Sequence, residues 1–306
     1  MNQHFSDAQV THRLQWLVCP IRDLNCQRLV KFSSEGRSTV LTSVVNHGIT
    51  YHTDAELQGS SGILLAFSER HGGLGSAPYD ALNLAAHVGD DDAVVNENRR
   101  RFMTAVGAAD YHDRLVTAEQ IHGAAIVRVT GEDAGRGARA GEIPPPIPGT
   151  DVIWTTESTI PLMLFFADCV PVVVVCTSPR AIAVVHAGWR GAYAGIVGAT
   201  VRAMRTELGD VELLAYVGAH IGACCYEVGP SLVSQFANMF VTIPRASDRL
   251  DLGAVVAEDL DRAGISRERQ WHLEICTAHN TNRFFSYRAE SHTGRHCAFA
   301  MLETRL

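Results

Sequence analysis

No stretch of this 306-residue chain is apolar for long enough to cross a bilayer as a helix. The most apolar segment, Pro161 to Cys176, is short and contains Asp168. The first residues, MNQHFSDAQVTHRLQW, carry polar and charged groups where an export signal needs an apolar centre. Basic residues are not in excess. The 26 Lys and Arg stand against 33 Asp and Glu, for a formal charge of -7, so nucleic acid is a poor default partner. No C-x-x-C pair occurs among the 8 cysteines, so neither a zinc ribbon nor a thioredoxin-type site is signalled. No internal repeat is present, and the Gly-Gly segment "SERHGGLGS" matches neither the P-loop nor the dinucleotide fingerprint. These absences describe a cytoplasmic protein with no membrane or nucleic-acid partner, whose thiols are reduced and mostly buried.

What remains is an ordinary globular composition, 46% hydrophobic and 19% charged. Residues 1–60 pattern weakly and read as an N-terminal extension, at most an added edge strand or hairpin. Residues 61–306 read as one domain. Strands are expected at Ile63–Phe67, Ala124–Val129, Asp151–Thr155, Pro161–Phe166, Val170–Cys176, Ala181–Val185, Glu212–Val217, Trp271–Ile275 and Ala298–Leu302. Helices are expected at Ala93–Val106, Gly191–Leu208 and Asp251–Ala263, where apolar residues recur at helical spacing. The Pro-rich stretch Gly131–Gly149 reads as a long surface loop. Hairpins outnumber regular βαβ units, so the expected class is α+β, with layers of sheet and helix.

Three polar residues fall at strand ends, where a rigid sheet presents side chains to a pocket: His122 in "EQIHG", Cys169 in "FFADCVP" and His186 in "HAGWRG". Two histidines and a cysteine leave one position open on tetrahedral zinc, the arrangement of catalytic zinc. The spacings of 47 and 17 residues are too long for the sequence to decide the matter. A second reading makes Cys169 a nucleophile with His186 as its base and Asp168 or Gln120 as orienter. Arg190, between glycines in "HAGWRG", and Arg70, beside a Gly-Gly turn, are candidates to hold an anion. Asn83 in "YDALNL" carries an amide suited to a purine or ribose edge.

Taken in order, "FSERHGG", "PYDALNLAAHVGDD", "NENRRR", "EQIHG", "ADCVP", "HAGWRG", "IGACCYEVG" and "FFSYR…TGR" resemble the YfiH-type purine nucleoside phosphorylase family, earlier described as polyphenol oxidases or laccase-domain proteins. The resemblance runs over about residues 60–303. It implies an α/β/β/α sandwich similar to the cysteine-hydrolase-like fold. It also implies one zinc ion per chain on His122, Cys169 and His186, and Asp168 supporting the metal shell or the substrate. The implied activities are phosphorolysis of adenosine, inosine, guanosine and methylthioadenosine, with phosphate as co-substrate, and deamination of adenosine. Arg70 and Arg190 are then the candidates for phosphate and Asn83 for the nucleoside, in a monomer or homodimer. Some family members are implicated in peptidoglycan editing.

Three other readings compete. A copper-dependent phenol oxidase is disfavoured, since the 14 histidines include no H-x-H pair. A hydrolase using Cys169 on a peptidoglycan precursor needs no metal. A binding protein without catalysis would load zinc and turn over no nucleoside.

Overall fold

Along Val170–Thr177 the side chains alternate between two apolar environments. Val172, Val174 and Cys176 pack in one cluster, and Val173 and Val175 in another. This is why the run is apolar throughout rather than alternating: both faces of the strand are covered. Each fully buried Val contributes roughly 1.5–3 kcal/mol relative to exposure.

The computed structural model describes residues 41–304. The strands are β1 (Thr42–Asn46), β2 (Ile49–Thr53), β3 (Ile63–Ser68), β4 (Ile126–Arg128), β5 (Val152–Thr155), β6 (Leu162–Phe166), β7 (Val170–Thr177), β8 (Arg180–Ala187), β9 (Leu214–Val217), β10 (Gln270–His272) and β11 (His296–Leu302). The helices are α1 (Ala55–Ser61), α2 (Asp92–Ala105), α3 (Trp189–Tyr193), α4 (Ile196–Leu208), α5 (Pro230–Met239), α6 (Leu252–Arg262) and α7 (Tyr287–Glu290). One sheet has the order β1-β2-β3-β11-β6 and is antiparallel throughout. The other has the order β10-β9-β7-β8-β5-β4, with parallel pairs only at its two edges.

The sheets face each other across Ile63, Leu65, Phe67, Leu164, Phe166 and Ala300 on one side and Val173, Val175, Val184 and Tyr216 on the other. Phe102 and Met103 of α2 cover the outer face of the first sheet through Leu64, Phe165 and Phe299. Helices α4, α5 and α6 cover the second sheet, with Val201, Phe236 and Val255 against Val172, Val174 and Val185. The result is the layered α/β/β/α sandwich that the resemblance implied, with one antiparallel and one mixed sheet.

Three local expectations change. The stretch Gly191–Leu208 is two helices rather than one, because Gly195 takes a left-handed backbone (φ 68°) between α3 and α4. The weakly patterned segment before residue 61 adds the helix α1 to the hairpin of β1 and β2 that was expected there. It is an edge hairpin that pairs with β3, as Tyr51 and His52 do with Ser68 and Phe67, followed by a helix capped by Asp54. Its expected first 40 residues lie outside the described part. The Gly131–Gly149 loop is not wholly a surface feature: Ala138, Ala140 and Ile147 are buried, and the buried Arg99 of α2 donates to the carbonyls of Gly137 and Ala138.

Candidate metal centre

Cys169 sits in the bend between β6 and β7, and His186 lies on β8 directly across from Pro171 of β7. His122 is in the loop before β4. The hairpin register and this loop bring one donor atom from each residue within 4.8 Å of the others. The two imidazole rings meet edge to face, with centroids 4.8 Å apart. His186 is buried, Cys169 half-buried and His122 exposed, so the group opens to solvent on one side.

Two of the three positions depend on a backbone that L-residues seldom adopt. His122 has φ 59°, and Asp168, next to Cys169, has φ 88°. Both are held by buried carboxylates. Asp151 is fully buried, and its Oδ1 and Oδ2 accept from the backbone N–H of His122 (3.0 Å) and Gly123 (2.7 Å). Asp168 Oδ1 accepts from the hydroxyls of Thr277 (2.6 Å) and Ser286 (2.7 Å), and Oδ2 from the backbone N–H of Arg288 (2.6 Å). Strain of this kind persists only where surrounding bonds over-determine it.

Asp151 has a second task. His186 Nδ1 donates to Asp151 Oδ1 at 2.8 Å, which fixes the tautomer and leaves Nε2 as the lone-pair nitrogen. Burial disfavours ionisation of the Cys169 thiol, but the charge on His186 and hydrogen bonds from both histidines outweigh it and bring the thiol down from its ordinary range. Burial likewise works against the His186 imidazolium, and the Cys169 thiolate and Asp151 overcome it and push His186 up. Space at the centre is tight. A Cβ on Gly188 would lie 3.0 Å from His122 Cδ2 and 3.2 Å from Cys169 Sγ, so only glycine fits without displacing donors.

Two imidazole nitrogens and a thiolate this close, one nitrogen already oriented by a carboxylate, suit a tetrahedral zinc ion with protein bonds of about 2.0–2.3 Å and one position left over. The donor set fits the metal that the motifs implied.

Among the other expected residues, Arg190 lies on α3 two residues beyond Gly188. It is exposed and lies over the Trp189 ring at 4.4 Å. Arg70 is placed differently from expectation. It is buried: Nε donates to the Asp80 carbonyl, Nη1 to the Thr281 carbonyl and the Glu290 carboxylate, and its guanidinium stacks 4.3 Å from the Phe285 ring. Asn83 is fully buried as well. Its amide donates to Ala85 O and Asp90 and accepts from the backbone of Ala85 and Arg295. In this structure both pin loops together: the Asn83 amide and the Nε and Nη1 of Arg70 are bonded inside the protein. Asp168 holds the hydroxyls of Thr277 and Ser286 and the backbone N–H of Arg288. Gln120 pairs its amide with both backbone groups of Phe165 at 2.8 Å.

Sequence reasoning missed Asp151 as the orienter of His186. It also missed the surrounding cations. Arg288 lies 5.0 Å from the Tyr226 ring, and Arg288 and Arg190 both act electrostatically on the Tyr226 phenol, as the Cys169 thiolate does. The half-buried Arg295 feels the charges of Cys169 and Asp168. Among the described residues, none of Arg190, Arg288 and Arg295 has a carboxylate within ion-pair distance. The motif "FFSYR…TGR" carries two of them, but nothing in its spacing says that Arg288 meets Tyr226 or that Arg295 comes within the electrostatic reach of Cys169.

A family model described as multi-copper polyphenol oxidoreductase laccase matches residues 64–303. The chain is 35% identical over 253 residues to purine nucleoside phosphorylase YlmD of Geobacillus stearothermophilus, covering 78% of this chain and 90% of that protein. It is 32% identical over 247 residues to purine nucleoside phosphorylase YfiH of Escherichia coli, covering 79% and 94%. Its fold superposes on the crystal structure of the Geobacillus YlmD with a TM-score of 0.79, at 30% identity over 87% of this chain and 100% of that one. For a Bacillus licheniformis protein called YfiH the TM-score is 0.75, at 29% identity over 84% and 97%.

Proposed function

The chain belongs to the family described as multi-copper polyphenol oxidoreductase laccase, and from that premise we propose that it is a zinc-dependent purine nucleoside phosphorylase that also deaminates adenosine. The observation that carries the reading is the His122–Cys169–His186 group, with donor atoms within 4.8 Å of one another, in a chain whose relatives are named purine nucleoside phosphorylases. When bound, zinc supplies Lewis acidity at an open coordination position.

The protein's own groups do the rest. Asp151 keeps the Nδ1 proton of His186 in place, so that Nε2 faces the centre. Asp168 ties the segment of Thr277, Ser286 and Arg288 to the bend that presents Cys169. Phosphorolysis forms a bond from a phosphate oxygen to C1′ of the ribose and breaks the bond to the purine nitrogen, which leaves with the electron pair. Arg190, Arg288 and Arg295 gather the phosphate. Among the described residues no carboxylate lies within ion-pair distance of them. Although Nη1 of Arg288 is bonded to the Glu227 carbonyl and Nη1 of Arg295 to those of Thr293 and Gly294, Nε and Nη2 of each are left to present a forked donor to an anion. The substrates are small purine nucleosides together with phosphate.

A second reading draws on the depressed Cys169 thiol beside His186, the pairing of a cysteine nucleophile and its base. The family description also names copper. The donors gathered here are a single His2Cys set, without the paired histidine motifs that several coppers require. One experiment separates these readings. Protein with measured metal content is incubated with adenosine, inosine, guanosine and methylthioadenosine, with and without phosphate. Zinc-dependent release of free base only with phosphate, and of inosine from adenosine without it, supports the proposal. Full activity after chelation, or activity that follows copper, sinks it.

A further inference from the structure

A second cluster of soft donors lies apart from His122, Cys169 and His186. Cys224, Cys225, Cys276 and His279 each offer a donor atom, and these four atoms all lie within 4.8 Å of one another. Cys224 and Cys225 sit in a turn in which the N–H groups of Cys225 and Tyr226 both donate to the Gly222 carbonyl at 3.0 Å. Cys276 is the N-cap and His279 the last residue of a one-turn 3-10 helix, Thr277–His279, and their donor atoms lie within 4.8 Å of each other. The two turns come from chain positions some fifty residues apart and are joined by the backbone bridge of His220 and Cys276. The backbone N–H of Gly222 also points at Cys276 Sγ, at 3.3 Å.

We propose that Cys224, Cys225, Cys276 and His279 form a second, closed metal site that holds one zinc ion in a structural role. Zinc–sulfur bonds of about 2.3 Å and zinc–nitrogen bonds of about 2.0 Å set the edges of a tetrahedron at roughly 3.5–3.8 Å. Cys224 Sγ and His279 Nδ1 are 3.5 Å apart, one such edge. An N–H aimed at a sulfur is the partner that a metal-bound thiolate takes from its surroundings. Three thiolates and one imidazole complete four-coordination with protein donors alone, which is the structural rather than the catalytic arrangement, and such soft donors select zinc over hard cations. A Cβ on Gly222 would come within 3.2 Å of Cys224 Sγ, so the turn leaves just enough room for the donors.

The position gives the site a consequence. Thr277, directly after Cys276, donates to Asp168, the neighbour of Cys169. Tyr226, directly after Cys225, stacks with Arg288. A zinc ion here cross-links the two turns that brace the wall of the first centre. This claim does not depend on the nucleoside reading.

The test is metal stoichiometry in intact protein purified with a thiol reductant and freed of loosely bound ions. The wild type is expected to hold roughly two zinc ions per chain. Cys169→Ala and the double variant Cys276→Ser/His279→Ala should each hold about one. Cobalt loaded into Cys169→Ala should show the strong thiolate-to-cobalt absorption of a tetrahedral sulfur-rich site, and that absorption should vanish when Cys276→Ser/His279→Ala is added. The proposal is overturned if the reduced wild type binds a single ion that only Cys169→Ala removes. It is equally overturned if Cys224, Cys225 or Cys276 is found in a disulfide under these conditions. If the double variant fails to fold, the wild-type count and the cobalt spectrum of Cys169→Ala still decide.

Discussion

His186 Nδ1 donates to Asp151 Oδ1 at 2.8 Å, and that same oxygen accepts the backbone N–H of His122 at 3.0 Å. One buried carboxylate therefore orients one histidine of the centre and holds the chain that carries the other. Asp151→Asn keeps the shape but sets an amide where the centre needs an acceptor. Zinc affinity, measured by competition with a chelator, should fall about 10–100-fold. Unchanged affinity would mean that the carboxylate is not needed to hold the imidazole.

Gly188 gives a sharper geometric test. Its backbone angles, φ -71° and ψ 170°, suit any residue, so only the added Cβ matters. With His122 Cδ2 at 3.0 Å and Cys169 Sγ at 3.2 Å from that Cβ, Gly188→Ala should lose turnover together with the zinc of the His122–Cys169–His186 centre. The thermal midpoint of the metal-free protein should barely move, because the sandwich core is untouched. Full zinc content in the variant would show that the donors are not packed as described.

The cations near Cys169 separate phosphate from nucleoside. Arg190→Ala and Arg288→Ala should raise the KM for phosphate, at a cost on the order of 2–4 kcal/mol in the phosphorolysis transition state. Deamination, which uses no phosphate, should change far less. Arg70→Ala should instead lower stability and depress both reactions alike, since its guanidinium binds Thr281, Asp80 and Glu290 inside the fold. Equal losses of both reactions in Arg190→Ala and Arg288→Ala would take those two off the phosphate.

Acid sensitivity should trace to Glu69. It is buried against His52 Nε2 at 2.9 Å and the Arg283 guanidinium. Burial raises its carboxyl, but hydrogen bonds from His52 and Arg283 win and hold it at about 2. A depressed carboxyl stabilises the fold above its unfolded value of 4.5, and that stability is lost as pH falls towards about 2. The amount is on the order of 3 kcal/mol at most. Unfolding free energy measured from neutral pH down to acid should drop steeply across this window in the wild type and less steeply in Glu69→Gln. Parallel curves would assign the acid transition to other carboxylates.

How much was legible beforehand varies with the range of the interactions involved. The strands and helices of the sandwich could be read because their signal is local. Alternating and helical spacing of Val, Leu, Ile and Phe, with Asp251 capping α6, leaves a pattern in neighbouring residues. His122, Cys169 and His186 could be named because each follows or precedes such a segment and falls in a recognisable motif. The hairpin at 42–53 was hard to see: β1 is an edge strand with mostly exposed side chains, so little periodicity is imposed on it.

Tertiary structure decided the rest. Asp151 lies 35 residues from His186 along the chain, and only the pairing of β5 with β8 brings them together. Arg70 and Asn83 had the right chemistry for a ligand, but loops closing over them bind the whole Asn83 amide and the Nε and Nη1 of Arg70. The segment that carries Arg288 comes beside Cys169 because Asp168 binds the Thr277 and Ser286 hydroxyls and the Arg288 backbone at the bend. Cys224, Cys225, Cys276 and His279 form no motif by spacing and meet only where two turns are bridged. Sequence pattern specifies which face of an element is buried, since burial repeats with the helical or strand period. Which polar side chains meet depends on long-range register, and that has no period to read.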